Sequence, residues 1–249
     1  MSQTIARSLL ANPTQIPLRS VDAIAFGSTL IVAPHPDDEC LGCGGAIALL
    51  RRLECAVSVV VVSDGTGSHP NSRRYLAPAL RRLREQETRA AMAHLGVMPN
   101  SVTFLGLKDG AVPRINAADF AAALMQVKTY LEAVSPQTVF LPWRRDPHPD
   151  HRATWELFTT AITQLNLSIR QIEYPIWDWD PAQRTDVPLP SDVTPWRLDI
   201  GAVVDLKQHA IAEYRSQITN LIDDDPTGFR LTPEMLAHFA HPWELYLER

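Results

Sequence analysis

Several features are scarce in this chain of 249 residues, and each shortage removes a class of function. Lys and Arg total 23 against 28 Asp and Glu, a formal net charge of -5, so there is no basic surplus to attract nucleic acid or an anionic membrane. No stretch approaches the ~20 apolar residues that a membrane-spanning helix needs; the longest apolar run lies near Ala56 to Val62. The three cysteines, Cys40, Cys43 and Cys55, form no even disulfide framework and suit a reducing compartment. The first twenty residues hold Arg7 and Arg19 but neither a long apolar core nor a clear cleavage site, so no secretory signal is expected. Internal repeats and low-complexity tracts are missing too. The expectation is a cytoplasmic enzyme acting on a small molecule, with no membrane span; homo-oligomerisation is left open.

What the sequence does contain is an alternation of short β-branched runs with longer helical patterns, which argues for βαβ units and a mainly parallel sheet flanked by helices. Strands are expected at Thr29 to Ala33, Ala56 to Val62, Ser101 to Leu105, Thr138 to Leu141 and Leu198 to Val204. Helices are expected at Leu41 to Leu53, Pro78 to Leu95, Ala117 to Ala133, Asp150 to Leu165 and Asp205 to Ser216. Asp180 to Thr194, with Pro181, Pro188 and Pro190, reads as a loop, and Trp177 and Trp179 just before it suit either sugar stacking or ordinary packing. A single α/β domain over 1–249 is expected, with its motifs in 28–165 and a more variable part over 166–249.

Two polar clusters stand out because each follows an apolar run. Pro34-His35-Pro36-Asp37-Asp38-Glu39 follows the first candidate strand, and Asp146-Pro147-His148-Pro149-Asp150-His151 follows the run at 138–142. In a parallel sheet the carboxyl ends of strands share one edge, where α/β proteins place their ligand sites. Borderline divalent metals prefer imidazole and carboxylate, and catalytic zinc commonly takes three protein ligands plus a water. His35, Asp38 and His151 can supply those three, leaving Asp37 beside the water to accept its proton. The plainer reading is that these acids cap helices, and it suits Glu39 and Asp150 well. It accounts less well for the histidines beside them.

Two competing readings use the segment after the first cluster. Cys40-Leu41-Gly42-Cys43 has the spacing of a redox dithiol, but three acids immediately upstream would raise a thiol pKa rather than lower it. Gly42, Gly44 and Gly45 follow a strand, as in a dinucleotide site, yet the third glycine position of that motif falls on Ile47. The glycines are better explained by close packing of the first helix on the sheet.

Together, Pro-His-Pro-Asp-Asp-Glu at 34–39 and His-Pro-Asp-His at 148–151 resemble the LmbE-like, or PIG-L-type, de-N-acetylases, relatives of the mycothiol and bacillithiol pathway deacetylases. Ser63-Asp64-Gly65, the helix pattern of Arg84, Glu87, Ala91, Leu95 and Gly96, and the Phe104 to Gly110 segment extend the likeness, with a fainter echo at Lys207 to Gln217. The resemblance implies a Rossmann-like fold and one zinc held by His35, Asp38 and His151. It further implies Asp37 as general base, His148 at the reacting carbonyl with Asp150 orienting or tuning it, and Arg84 and Asp109 as contacts to the sugar or its aglycone. The implied substrate is an N-acetylglucosamine-type amide, and the mechanism expected from zinc chemistry stabilises the oxyanion with the metal and a protonated His148. Either Asp37 or His148 would protonate the departing amine. The family commonly has Ala before the first His, whereas here Pro34 fixes φ at that position. A metal- or sugar-binding protein without turnover is the alternative outside enzymology.

Overall fold

All five residues of Thr29–Ala33 are buried, as expected of a strand covered on both faces of a parallel sheet. The computed structural model describes residues 13–179 and 191–249; most of the proline-rich stretch, 180–190, lies outside them. Among the described residues the strands are β1 (Leu18–Arg19), β2 (Thr29–Ala33), β3 (Val57–Ser63), β4 (Val102–Leu107), β5 (Thr138–Pro142), β6 (Arg170–Tyr174), β7 (Thr194–Asp199) and β8 (Trp243–Glu248). They form one sheet in the order β1-β7-β8-β6-β5-β2-β3-β4. The helices are α1 (Asp38–Arg52), α2 (Ala77–His94), α3 (Phe120–Val134), α4 (Pro149–Gln164), α5 (Val204–Ala212), α6 (Arg215–Ile218) and α7 (Pro233–Ala237). No helix among the described residues is long and apolar enough to cross a membrane.

Strand β2 pairs in parallel with β3 on one side and β5 on the other. From β2 the chain steps outward through β3 to β4, then returns to β5 and continues to β6 in the opposite direction. The strand order therefore reverses between β2 and β5, and a crevice opens there beyond their carboxyl ends. Both polar clusters emerge at that edge.

Side-chain alternation divides β2 between two cores. Ile31 joins Phe140, Leu41, Ile47 and Met92 on one face, and Leu30 and Val32 join Val127, Leu141 and Phe158 on the other. Helix α1 lies unusually close to its neighbours. A Cβ on Gly42 would come 2.2 Å from Tyr174 Cδ2, and one on Gly45 would come 2.5 Å from Ile200 Cγ2. Close packing thus accounts for these glycines without a nucleotide.

The carboxyl-terminal third departs from the sequence expectation. The strand expected at Leu198 to Val204 runs instead from Thr194 to Asp199, because Ile200 and Val203 are buried in a turn, with Val203 N–H donating to Ile200 O at 2.8 Å. The helix expected over Asp205 to Ser216 breaks at Tyr214. Tyr214 uses its hydroxyl on Glu39, and Ser216 donates through N–H and O–H to Glu87 at 2.7 and 2.6 Å. Strands β6 and β8 had no counterpart in the sequence reading, and β8 runs antiparallel between β6 and β7.

Candidate active site

The turn from β2 into α1 is built around one residue in an unfavourable backbone conformation. Asp37 has φ 128°, a region that non-glycine residues occupy at a cost of about 1–3 kcal/mol. Its N–H donates to Glu39 Oε2 at 3.1 Å, and Tyr214 O–H donates to the other oxygen of that carboxylate. Glu39 is fully buried. It acts here as the brace of the turn, and burial, with Asp37 beside it, pushes its carboxyl well above the usual range.

The two clusters meet across the crevice. Asp38 Oδ2 lies 3.1 Å from His35 Nδ1 and 3.2 Å from His151 Nε2, and it also accepts His35 N–H at 2.9 Å. His35 Nε2 faces Asp150 Oδ2 at 3.2 Å and Asp109 Oδ1 at 3.3 Å. The His148 ring stands 4.7 Å from that of His35 and 5.1 Å from that of His151, between centroids. His151 is fully buried, and neither ring nitrogen has a well-aligned hydrogen bond. Buried nitrogens in that condition call for a partner. Two imidazoles and a carboxylate converging there form the donor set that a borderline divalent ion prefers, so these residues fit a metal. His35, His148 and His151 also present nitrogens within 4.8 Å of one another.

Charge within the cluster follows from burial and pairing. Asp37 is pushed up to about 7, first by burial and further by Asp38, with the Arg84 guanidinium opposing. Burial also acts against ionised Asp38, but His151 and His35 outweigh it and hold Asp38 well below the usual range. For His151 burial disfavours the cation, yet Asp146 and Asp38 raise it to about 9. His148 goes the other way, to about 4, through burial and the nearby His151 and His35. In the metal-free protein this favours a neutral imidazole near pH 7, where a protonated one was expected. Its Nδ1 accepts Asp150 N–H at 3.2 Å, which leaves the ring hydrogen on Nε2.

Other expected residues occupy places the sequence did not anticipate. The Asp150 carboxylate engages His35 together with the N–H groups of Gly110 and Val112 at 2.7 and 3.2 Å, so its link to His148 runs through its backbone. Arg84 Nη2 lies 3.1 Å from Asp37 Oδ2 and also donates to Pro36 O. Asp109 accepts Gly67 N–H at 2.8 Å as well as facing His35. Cys40 and Cys43 are both fully buried. Burial, with Glu39 beside the first and Glu244 beside the second, pushes both thiols well above their ordinary range. Neither supplies the thiolate that disulfide exchange requires.

A cavity of about 270 Å³ opens over the cluster and reaches Asp37, Arg84, Asp109 and His148. Leu41, Trp177, Gln217, Phe229 and Leu231 line it as well. The rings of Trp177 and Phe229 meet edge to face at 5.7 Å. Sequence reasoning missed Phe229 and Leu231, which lie in the weakly patterned end of the chain. Leu231 N–H donates to Gln217 O at 2.8 Å, and Phe229 N–H donates to Ser68 O at 2.6 Å. No local motif signals either contact.

The chain is similar to known proteins in sequence and in fold. Over 197 residues the chain is 28% identical to a probable N-acetyl-alpha-D-glucosaminyl L-malate deacetylase 2 of Bacillus subtilis (strain 168), covering 78% of this chain and 84% of that protein. It is similar in structure to the N,N'-diacetylchitobiose deacetylase of Pyrococcus horikoshii, with a TM-score of 0.61 and 21% identity over 88% of this chain and 81% of the other. It is likewise similar to the 4-carboxy-2-hydroxymuconate hydratase of Pseudomonas putida KT2440, with a TM-score of 0.58 and 25% identity over 77% and 80% of the two chains. Residues 30–162, more than half of the chain and inclusive of both loops at the crevice, match the GlcNAc-PI de-N-acetylase model, and the chain belongs to that PIG-L family of hydrolases.

Proposed function

We propose that this protein removes the acetyl group from an N-acetylglucosamine-type sugar or glycoconjugate, with zinc held by His35, Asp38 and His151. The observation that carries the reading is Asp38 Oδ2 within 3.2 Å of a nitrogen on each of two histidines from separate loops, with Asp37 next to it in the chain. When bound, zinc supplies a water whose pKa falls to about 7 and a Lewis acid for the acyl oxygen. Asp37 is the group that accepts a proton from the attacking water. A carboxyl at about 7 is ionised often enough near neutral pH to do so and acidic enough to give the proton back.

His148 directs its Nε2–H at the acyl oxygen as negative charge develops there, and a fixed donor in a buried site is more effective than one that must reorganise. Because this imidazole is neutral, the proton needed by the departing amine comes from Asp37. Arg84 keeps Asp37 oriented and opposes the upward push of burial on its carboxyl. Trp177 and Phe229 offer the apolar surface on which a sugar face or its substituent rests.

The test is acetate release from a panel of N-acetylglucosaminides, including the malate conjugate named for the Bacillus relative, by metal-stripped and zinc-reconstituted protein. Release is expected only after reconstitution. A zinc-loaded protein inert towards the whole panel would sink the proposal. A second reading, addition of water to the double bond of an unsaturated carboxylic acid, is favoured by one observation, the likeness to the Pseudomonas hydratase. Loss of the enoate ultraviolet absorbance with no acetate release would select it.

A further inference from the structure

Asp146 belongs to none of the roles above, yet its side chain is fully buried between the pieces of the site. Its Oδ1 accepts His148 N–H at 2.9 Å. Its Oδ2 accepts the N–H groups of Ile176 and Trp177, each at 3.1 Å, and lies 3.3 Å from His151 Nδ1. Three backbone donors therefore fix this carboxylate from two separate segments, the β5–α4 loop and the turn after β6. An ionised carboxylate in a fully buried position needs such donors. His151 has no comparable backbone anchor for its ring, whose nitrogens face Asp38 on one side and Asp146 on the other.

We infer that Asp146 is the positioning residue of the metal centre: it receives the Nδ1 hydrogen of His151, leaves the Nε2 lone pair for the ion, and ties that ligand to the Trp177 wall of the cavity. The inference rests on the metal reading above. The chemistry is general to histidine ligands, whose second nitrogen is usually held by a carboxylate or carbonyl that fixes the tautomer and ring orientation. Asp146 suits the task because its place is set by the backbone and not by the imidazole it serves. The same carboxylate transmits any shift of the ligand to the turn carrying Trp177.

Asp146→Asn keeps the shape and one acceptor but removes the charge, so zinc affinity measured by competition with a chromophoric chelator should weaken by about 10–100-fold. The visible spectrum of cobalt-loaded Asp146→Asn should also differ from that of cobalt-loaded wild type. Glu244→Gln is the control. Glu244 is a buried carboxylate that accepts Gly45 and Ala46 N–H at 2.7 and 2.8 Å and touches none of the proposed ligands. It should lower stability while leaving zinc affinity and the cobalt spectrum of the folded protein as in wild type. Equal zinc affinity in wild type and Asp146→Asn, or equal losses in both variants, overturns the inference. If Asp146→Asn does not fold, ¹⁵N-histidine labelling of zinc-loaded wild type decides the matter. Nδ1–H with Nε2 bound to metal supports the inference, and metal on Nδ1 overturns it. A wild-type protein that binds no zinc removes the metal reading, and this inference with it.

Discussion

Arg84 and Asp37 form a buried ion pair, Nη2 to Oδ2 3.1 Å, with side chains only 3% and 9% exposed. Arg84 is one of the influences holding the Asp37 carboxyl down against burial, so removing the guanidinium raises Asp37 further. Arg84→Met should move the acid limb of the pH–rate profile to higher pH and lower kcat at neutral pH. Arg84→Lys, which keeps the charge but loses the planar fork, should shift that limb less. An increase in KM with no movement of the limb would instead make Arg84 a substrate contact.

The strained backbone at Asp37 separates stability from activity. At φ 128° any side chain with a Cβ is disfavoured, whereas glycine adopts such angles with little penalty. Asp37→Gly should therefore be more stable than Asp37→Ala by about 1 kcal/mol in denaturant unfolding. Both should lose about 10²-fold or more in turnover, the usual scale of a general base, while retaining zinc. Equal stability of the two variants would show that the turn relaxes. Turnover close to wild type in either would remove Asp37 from the chemistry.

The legible parts of this fold were those where local pattern and tertiary role coincide. Strands β2 and β5 are apolar runs ended by a burst of polar residues, so the sequence marked both the strand and the ligand edge, and with them His35, Asp38 and His151. Strand β6 was hidden because its charges are paired across the structure: Arg170 Nε lies 2.6 Å from Glu248 and Glu173 lies 3.1 Å from Arg144. In β8, Glu244 interrupts the apolar pattern, yet it is fully buried against Lys207 Nζ at 2.8 Å. The roles of individual site residues were less accessible than their presence. That Asp150 turns its carboxylate to His35, or that Arg84 meets Asp37, depends on the loops after β3 and β4, and no spacing within either motif encodes it. Phe229 is held at the cavity by contacts between remote segments, among them Asp224 accepting Ser72 O–H and Arg73 N–H, each at 2.8 Å.

The neutral state of His148 has a kinetic signature. Burial is the first cause of a pKa depressed to about 4 in the metal-free protein, and it persists when zinc is bound, so the ring changes charge below physiological pH. Replacing it with alanine should lower kcat by about 10²–10³-fold, the scale of losing one oxyanion donor. The shape of the pH–rate profile between pH 6 and 8 should not change. Had the imidazolium been the active form, activity would decline across that interval in wild type and the decline would vanish in His148→Ala.

Metal and protons compete for the same imidazole, and stability reports the competition. In the metal-free protein His151 is raised from 6.5 to about 9, burial opposing but Asp146 and Asp38 prevailing, and His35 is raised as well. A proton held more tightly in the folded state stabilises that state. The contribution is complete below pH 6.5 and is lost as pH rises through about 9. A metal-bound imidazole is neutral and carries no such dependence. The Tm of metal-free protein should therefore fall between pH 6.5 and 9 while that of zinc-loaded protein stays flatter, so the gap between them widens with pH. Zinc at a hundred times its Kd adds about 2.7 kcal/mol to the folded state, enough to resolve the two curves by calorimetry. Parallel curves would mean that zinc does not displace the proton from His151, and the ion would have to be bound elsewhere.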